Sequence, residues 1–599
     1  MYLRRTTRRV GDKTYQNYLL VESVATPKGP RQRVICSLGA LAPGPKDEWL
    51  GTARRFQAAL AGQIALVPDA PIEALAARAR PSRPRGPGLT IDPDQVTFED
   101  EREAGPVHVG HQMWRLLHLD TILADAGLSR RAQLLTEVMT LNRLVRPAAE
   151  HAMPDWIRRT ALADILGTDF TDLSDEALYR NLDRLHPQRA RIEQALAARE
   201  RTLFNLDDTI YLYDLTSTYF EGRCPHNPQA KRGYSRDHRP DCKQVVIGLV
   251  LDRDGFPKAH EVFDGNRHDQ TTVDDMLTKL EERTGRRGGA TVVVDRGMAF
   301  AANLAQIRAR GHHYLVAARY PERGAHQAAF AAAADWTEVV RVSSPRNPGQ
   351  KKPRVVVKRQ RVGDEVHILC RSEARIDKDR AIRDKHEQRL LADLRKLQAR
   401  VAHGRLREPA KIQEAIGRLK ERYSRVARYY AITYAATTAA VSWPEQADKK
   451  SAASALDGTY LLKTDRQDLA DDEVWRLYIL LTRVEAAFRA LKSPLMERPI
   501  FHHLEHRVQT HIFLCVLAYH LLAAIEKRCL DQGRHTSWAT LREQLATHQV
   551  ATVVLPALDG RILKIRKGSS PDEVHQEIYR VLQIPHEVMK PVKTWTTSR

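Results

Sequence analysis

The most constraining feature of the sequence is a series of apolar runs between residues 206 and 320. The runs TIYLYDLT, KQVVIGLVLD, KAHEVF, ATVVVD and HYLVAA have the length and β-branched content of strands. The turn-forming DRDG separates the second run from the third, and helical patterns near 270–285 and 299–310 separate the last three. This order of elements predicts a mixed α/β sheet: three strands, a helix, a strand, a helix and a strand.

This pattern is interrupted at residues 321–455, which predict an insertion domain. Short β runs (TEVVRV, RVVVKR and EVHILC) precede two helical stripes. The second stripe has a heptad spacing, which indicates a helical hairpin on a β base. The stripes consist of Leu390, Leu394, Leu397 and Val401, and of Ile412, Ile416, Leu419, Tyr423, Val426 and Tyr430.

The sheet is expected to resume after the insertion, at residues 456–530. TYLLKT at 459–464 predicts a returning strand, a helix is expected near 473–492, and an apolar helix follows at 508–526. We therefore predict a core whose first part is 206–320 and whose second part is 456–530.

Four further segments flank the predicted core. Residues 1–60 predict a basic β-hairpin, because YQNYLLVESVA and RQRVICSLG surround the turn-forming TPKGP. Residues 61–100 predict a linker that contains PSRPRGP, which cannot continue a helix. Residues 101–205 predict a helical domain, either DNA-binding or structural, in which Ser174 caps a helix. Residues 531–599 form a C-terminal tail region.

The positive charge of the chain is concentrated in two segments. The net charge is +21. Residues 1–60 carry 11 basic and 4 acidic side chains (net +7), residues 341–430 carry 26 and 11 (net +15), and the remainder sums to −1. Localised charge of this kind favours a DNA backbone contact over a role in solubility.

Cysteine content and hydropathy indicate a cytoplasmic protein. Six cysteines in 599 residues exclude a disulfide scaffold and suit a reducing compartment. No apolar segment follows the basic MYLRRTTRRV, so no secretory signal is predicted. The most apolar run, 512–525, is shorter than the ~20 residues that span a bilayer and predicts a buried helix. We expect the protein to be cytoplasmic, associated with the nucleoid and not with a membrane.

Two aspartates stand in strand context. Asp214 lies in YLYDLTSTYF, and Asp295 follows the β run of TVVVDRGMAF. A carboxylate at a strand end faces the crevice where α/β sheets bind ligands. Taken singly, each aspartate is better explained by a turn or a helix cap.

A third acid lies on the helix YILLTRVEAAFRALK. Tyr478, Glu485 and Lys492 are spaced by seven residues, nearly two helical turns, so they share one face. Arg483 and Arg489 stand beside this stripe. The simpler alternative is an amphipathic surface helix with ordinary charges.

Together, the three acids suit metal-dependent phosphoryl transfer. Two aspartates on strands and a glutamate on a helix can hold two divalent ions ~3.5–4 Å apart. Carboxylate oxygens favour magnesium or manganese. One ion would activate water or a 3′-hydroxyl and the other would stabilise the leaving oxygen, a reaction that fits localised DNA-binding charge.

Several segments, in this order, resemble the DDE transposases of bacterial insertion sequences, namely YDLTSTYFEG, GYSRDHRPDCKQVVIGLVLDRDGFPKAHEVFDGN, VVVDRGMAF and YILLTRVEAAFRALK. They are similar to the group with a Y-R-E-K signature, insertion-sequence group four, and the likeness covers most of the chain. The resemblance implies an RNase H-like core with a β-rich insertion before the glutamate. By motif, Asp214, Asp295 and Glu485 match the catalytic, metal-binding triad.

The resemblance also implies which partners the protein binds, and the sequence departs from the family signature at one position. Such enzymes act as assembled homodimers on the terminal inverted repeats and the target, both double-stranded DNA. Tyr478 and Lys492 match the signature and, like Arg483 and Arg489, are expected to contact DNA, whereas Leu481 stands at the Arg position. Arg483 or Arg489 would then make the phosphate contact from another angle.

Two other functions remain open from the sequence. Because Leu481 replaces the arginine of the signature, the protein could be a catalytically degenerate transposase that acts as a DNA-binding regulator. Widely separated carboxylates in the structure would favour this alternative. A structure-specific nuclease on the same core would cut DNA without joining it. A zinc site is not predicted, because Cys224, His226 and Cys242 fit no standard spacing. The histidines His502, His503, His506 and His511, together with Arg507, are expected to contact DNA or to cap structure.

Overall fold

The protein forms two compact units. The computed structural model describes residues 1–26, 29–38, 44–60, 69–78, 90–339 and 354–597. The first unit comprises the described residues of Met1–Val96, Leu555–Ile562 and Thr596–Arg599, and the second those of Thr97–Val554 and Leu563–Trp595. The predicted PSRPRGP linker and two turn residues, Pro27 and Lys28, lie outside the described residues.

An antiparallel sheet of three strands begins the first unit, with the order β1-β2-β3. The predicted hairpin corresponds to β2 and β3, and β1 precedes it with Arg4 and Arg5 exposed. Leu3 and Leu20 of the sheet share a core with Phe56. The elements are β1 (Tyr2–Val10), β2 (Lys13–Thr26), β3 (Gly29–Ser37), α1 (Trp49–Leu60) and α2 (Ala70–Arg78).

One strand and seven helices begin the second unit, which agrees with the helical pattern predicted there. Ser174 caps the sixth of these helices as expected, because its hydroxyl accepts from the Ala177 N–H and three leucines of that helix are buried. The elements are β4 (Thr97–Glu103), α3 (Gly105–Leu116), α4 (Leu119–Asp125), α5 (Arg130–Val145), α6 (Met153–Arg159), α7 (Leu162–Leu166), α8 (Asp175–Leu185) and α9 (Arg189–Phe204).

The mixed sheet predicted from residues 206–320 is confirmed. β5, β8 and β9 run parallel, whereas β6 and β7 pair antiparallel beside β5. Alternate side chains face opposite layers, so Tyr211 and Tyr213 pack towards α10 and α11 while Leu212 enters another cluster. The elements are β5 (Ile210–Tyr219), β6 (Gln244–Asp252), β7 (Pro257–Asp264), α10 (Val273–Thr284), β8 (Thr291–Val294), α11 (Ala301–Ala309) and β9 (His313–Ala317).

The helical hairpin that follows has a hydrophobic core of its own. Leucines 390, 394 and 397 pack against Ile412 and Ile416, as the stripes predicted. The second helix ends at Arg422, before the end of its stripe, because the Tyr423 backbone leaves the helical region (φ −113°, ψ 34°). The elements are α12 (Gln327–Ala331), β10 (Thr337–Val339), β11 (Val355–Val362), β12 (Glu365–Ser372), α13 (Glu373–Ala402), α14 (Pro409–Arg422), α15 (Ser424–Ala427), β13 (Thr433–Ala435), β14 (Ala440–Ser442) and α16 (Ala447–Ser454).

The next strand joins this region to the central sheet. β15 pairs with both β12 and β9, which gives nine strands in the order β10-β11-β12-β15-β9-β8-β5-β6-β7. The apolar helix is α19, and its run 512–525 is buried throughout, as predicted. It is long and apolar enough for a membrane span, but its most apolar window is entirely buried within the protein, as in a core helix. The elements are β15 (Thr459–Thr464), α17 (Asp471–Ile479), α18 (Thr482–Lys492) and α19 (Glu505–Asp531).

Where the sequence predicted one helix near 473–492, the structure has two. Leu480 and Leu481 have the dihedral angles of a 3₁₀ turn (φ −60°, ψ −22° and φ −57°, ψ −25°). The N–H groups of Leu480, Leu481 and Arg483 donate to carbonyls three residues back. This tighter turn interrupts the α-helical ladder and separates α17 from α18.

The C-terminal region is folded. β16 pairs antiparallel with β4, and the four-stranded sheet has the order β18-β17-β16-β4. The elements are α20 (Trp538–Leu545), β16 (Gln549–Pro556), β17 (Arg561–Gly568), α21 (Glu573–Val581) and β18 (Val592–Thr597).

Candidate active site

Asp214 and Asp295 lie side by side on neighbouring parallel strands. β5 and β8 pair with Tyr213 opposite Val294, so the next residue of each chain segment is an aspartate at the same level. Adjacent strands are about 4.8 Å apart. Asp295 directly follows β8, as predicted, whereas Asp214 lies inside β5, which continues to Tyr219 in its pairing with β6.

Glu485 reaches the same place from the first turns of α18, which packs against β5 and β6. Glu485 and Asp295 are both exposed and line one cavity of about 560 Å³. The other residues that line the cavity are Arg296, Gly297, Phe300, Arg319, Arg375 and Tyr478. The structure therefore brings together the three acids that the sequence singled out.

The pKa of Asp214 reflects its burial and, to a smaller extent, this proximity. Burial raises the pKa of Asp214 to about 7, and the charges of Asp295 and Glu485 add to the rise. The Leu215 N–H, 2.7 Å from the Asp214 Oδ1, and the nearby Arg236 act in the opposite direction. The negative charges of Asp295 and Glu485 thus disfavour the ionised form of Asp214.

The donor set of this cavity fits a divalent cation. In the part of the chain that the structure describes, no ion pair is formed by Asp214, Asp295 or Glu485. Their oxygens are the hard ligands that Mg²⁺ and Mn²⁺ take. A bound cation would offset both the burial and the repulsion from Asp295 and Glu485 that raise the pKa of Asp214.

Tyr478 also lines the cavity, although it lies on α17 and Glu485 on α18. Burial raises the pKa of Tyr478, and the charge of Asp295 adds to the rise. Leu481, at the usual Arg position of the signature, lies in the turn between the helices and is buried in the main hydrophobic core. Its side chain therefore serves packing.

The three predicted basic contacts lie elsewhere. Arg483 donates to the carbonyl of Arg253, in the turn between β6 and β7. Arg489 lines a separate groove of about 1250 Å³. Lys492 forms an ion pair with Asp237, with 2.7 Å between its Nζ and Oδ1. Their contact with DNA stays a prediction.

Three cavity arginines were missed from the sequence. Arg296 directly follows Asp295 in VVVDRGMAF, so the motif itself could have indicated it. Arg319 follows β9 and stacks on Phe300 (5.0 Å from the ring centroid). Arg375 begins α13, in the basic region. No local signal marks Arg375, because only the fold brings α13 to the cavity.

The remaining histidines form structural contacts. His506 and Arg507 bond to the carboxylate of Asp183, on α8, at 2.8 and 2.7 Å. In the described ranges, potential ligand atoms of Glu150, His502 and His511 lie within 4.8 Å of one another. This group does not include Cys224, His226 or Cys242.

A buried arginine already supplies positive charge to that histidine group. Arg143 Nη2 lies 3.7 Å from the Glu150 Oε1 and 3.5 Å from the His511 Nδ1. The group is therefore a buried ion network.

Comparisons with known proteins agree with the resemblance. The family model of the transposase DDE domain matches residues 210–521, more than half of the chain, and that of the IS1634 family transposase N-terminal domain matches residues 3–65. No curated protein matches the chain. A piggyBac transposase synaptic complex with hairpin DNA is similar at 8% identity, with a TM-score of 0.33, over 76% of this chain and 82% of that chain. The chain therefore belongs to the family of transposases with a DDE domain and is a DNA transposase, and its residues 3–65 are similar to the N-terminal domain of IS1634 family transposases.

Proposed function

We propose that this transposase cleaves DNA at the ends of its element and joins the ends to target DNA, with Asp214, Asp295 and Glu485 as catalytic carboxylates and metal ligands. The observation that carries the proposal is the convergence of three acids that form no ion pair among the described residues. Burial, with a smaller contribution from the charges of Asp295 and Glu485, raises the pKa of Asp214 to about 7. Acids arranged at such a cost to stability are typical of a catalytic site.

The cofactors would be two divalent ions, magnesium or manganese. Bound at ~3.5–4 Å from each other, they would activate the attacking oxygen and stabilise the leaving oxygen of an in-line displacement. Asp295 and Glu485 are exposed to the cavity, where a DNA phosphate can approach them. The three cavity arginines would place positive charge around the phosphate, because guanidinium groups bind phosphate oxygens in pairs.

The proposed catalytic core is RNase H-like and divided, with one part in 206–320 and the other in 456–530. Its support is the strand order β7-β6-β5-β8-β9, with β6 antiparallel and the two aspartates on β5 and after β8. The region 321–455 would be the insertion, and 1–60, 61–100, 101–205 and 531–599 would be the segments that flank the core, the last of them joined to the others through the pairing of β16 with β4. The long interval between Asp295 and Glu485 accommodates the insertion.

The proposed DNA surface includes the helical hairpin at 372–428. Its support is a set of basic side chains that are exposed there, namely Lys378, Arg380, Lys385, Arg389, Arg395, Lys396, Arg400, Arg405, Arg407, Lys411, Arg418, Lys420, Arg422, Arg425 and Arg428. Such a surface holds DNA phosphates with strong salt dependence. Terminal inverted repeats and target DNA would be the partners of a homodimer in the cytoplasm, at the nucleoid and away from membranes.

Cleavage of the element ends tests this proposal. The protein is incubated with Mg²⁺ and DNA that carries the inverted repeats flanking its gene. We expect cut ends and joined products, and we expect Asp214→Asn, Asp295→Asn and Glu485→Gln each to slow cleavage by about a thousandfold, the equivalent of roughly 4 kcal/mol.

The matched control is Asp472→Asn, which removes a carboxylate of α17 that pairs with Arg476 (3.0 Å) and should leave cleavage unchanged. Full cleavage by all three site variants would contradict the assignment. Cuts without joined products would favour the nuclease, and binding without cuts would favour the regulator that Leu481 motivated.

A further inference from the structure

Lys492 and Arg498 share one buried carboxylate. The Lys492 Nζ lies 2.7 Å from the Asp237 Oδ1, and Arg498 pairs with the same oxygen. Asp237 comes from the segment between β5 and β6, and its side chain is only 3% exposed. A single acid from a distant segment of the chain therefore neutralises two cations.

This pairing leaves polar atoms unsatisfied. Among the described residues, no hydrogen-bond partner reaches the buried Asp237 Oδ2, because both cations meet Oδ1. The neighbouring Glu497 is fully buried, and burial raises its pKa to about 7, so it contributes little negative charge below that pH. Two cations thus face fewer accepting oxygens than they could bind, and an anion with two well-placed oxygens would suit them better.

Lys492 and Arg498 lie near the candidate catalytic carboxylates. Lys492 lies seven residues after Glu485 on α18, which is about 10 Å along the helix axis. One DNA strand carries a phosphate about every 3.4 Å of its axis, so the pair lies about three nucleotide steps from the acids. Arg498 also lines an open cavity of about 550 Å³, through which a phosphate can approach.

We propose that Asp237 competes with a DNA backbone phosphate for Lys492, whose contact with DNA the resemblance already implies, and for Arg498, and that it occupies both cations in the protein without DNA. When DNA binds, phosphate oxygens replace the Asp237 carboxylate as acceptors for both cations. Asp237 is thus a built-in competitor of the DNA backbone. The inference rests on the proposed function for its location beside the carboxylates, but the exchange itself is a binding event that requires no metal.

The test measures binding of the full chain to a fluorescein-labelled duplex DNA of random sequence, in EDTA, over a range of salt concentrations. Asp237→Asn keeps the shape of the side chain and releases the cations. We expect about tenfold tighter binding at low salt, since one additional charge-assisted hydrogen bond corresponds to about a power of ten in affinity. The salt dependence should steepen by about 0.9 in log–log slope for each further phosphate that the released cations neutralise.

Asp241→Asn is the matched control. It removes the same charge from the same segment, where Asp241 is 63% exposed and pairs with Arg239. Its effect on affinity gives the contribution of net charge alone. A second background, Lys492→Gln with Arg498→Gln, should abolish the increase in affinity that Asp237→Asn produces.

Equal binding by Asp237→Asn and Asp241→Asn would overturn the proposal, as would weaker binding by Asp237→Asn or an increase in affinity that persists without both cations. Circular dichroism and thermal melting check the fold, and Asp237→Ser provides a second variant. Failure of the proposed function is distinguishable, because it is measured by cleavage in Mg²⁺ with Glu485→Gln, whereas this binding needs neither metal nor Glu485.

Discussion

Two acids at the central sheet differ in their partners. Burial raises the pKa of Glu193 on α9, but the charges and hydrogen bonds of His260 and Arg283 outweigh burial and lower that pKa to about 2. Burial also raises the pKa of Asp214 on β5, where the neighbouring acids Asp295 and Glu485 add to the rise, and its pKa reaches about 7. The first acid has two basic partners in the scaffold, whereas the second is buried beside other acids, where a bound cation would stabilise its charged form.

Removal of Glu193 should have the larger effect on stability. Glu193→Ala leaves His260 and Arg283 without their shared acid in a site where both are nearly buried. Breaking a buried pair costs about 3–5 kcal/mol, so the free energy of unfolding in urea should fall by that amount. Glu282→Ala, which removes a half-exposed acid from the next helix, should change it by less than about 1 kcal/mol. If the free energy of unfolding falls equally in both variants, Glu193 is not a structural acid of the kind described.

Asp214→Asn should act in the opposite direction. In EDTA, the variant removes a carboxylate that burial and two neighbouring acids disfavour. We expect the free energy of unfolding to rise by about 1–2 kcal/mol near pH 8, as for other strained functional sites. Urea unfolding of the metal-free wild type and variant measures this, and a loss of stability would show that Asp214 is a structural acid.

The pH dependence should distinguish the two acids further. Because the folded pKa of Asp214 is raised from 3.8 to about 7, its contribution to stability is present at low pH and is lost as pH rises across that interval. The folded pKa of Glu193 is lowered from 4.5 to about 2, so its contribution is present above pH 4.5 and is lost as pH falls towards 2. Unfolding of wild type against Asp214→Asn and Glu193→Gln, as a function of pH, should show these opposite trends. Parallel trends would contradict the comparison.

Arg375 should show the smallest effect. It is a cation at the carboxylate cavity that pairs with none of the three acids among the described residues. Arg375→Gln should weaken DNA binding about threefold to tenfold, or about 1 kcal/mol, by removing one phosphate contact. Lys279→Gln, which removes an exposed charge of α10, is the control and should bind as wild type does. Equal binding by both variants would place Arg375 outside the DNA surface.

The sequence predicted the central strands and the three acids because their signals are local. The β runs before Asp214 and Asp295 specify strands, and the two strands pair where the acids follow. The break at Leu480 and Leu481 was missed, because its 3₁₀ bonds replace an otherwise continuous helical pattern.

The partners of the site could not be predicted from local signals. Arg375 reaches the cavity through α13, and Asp237 meets Lys492 across 255 residues of chain. Likewise, β10–β12 extend the central sheet only because β15, far along the chain, pairs with both β12 and β9. Such contacts arise from tertiary packing, to which no sequence period corresponds.

The most direct test of the central claim, that the unpaired acids hold divalent cations, is calorimetric titration of the metal-free protein with Mn²⁺ near pH 6.5. Repeating it in buffers of different ionisation enthalpy counts the protons released. Since Asp214 is largely protonated below its pKa of about 7, cation binding should release a proton from it. We expect the wild type and Asp472→Asn to bind Mn²⁺ and to release up to about one proton. We expect Asp214→Asn to lose both the binding and the proton release. Unchanged binding and proton release in Asp214→Asn would contradict the claim.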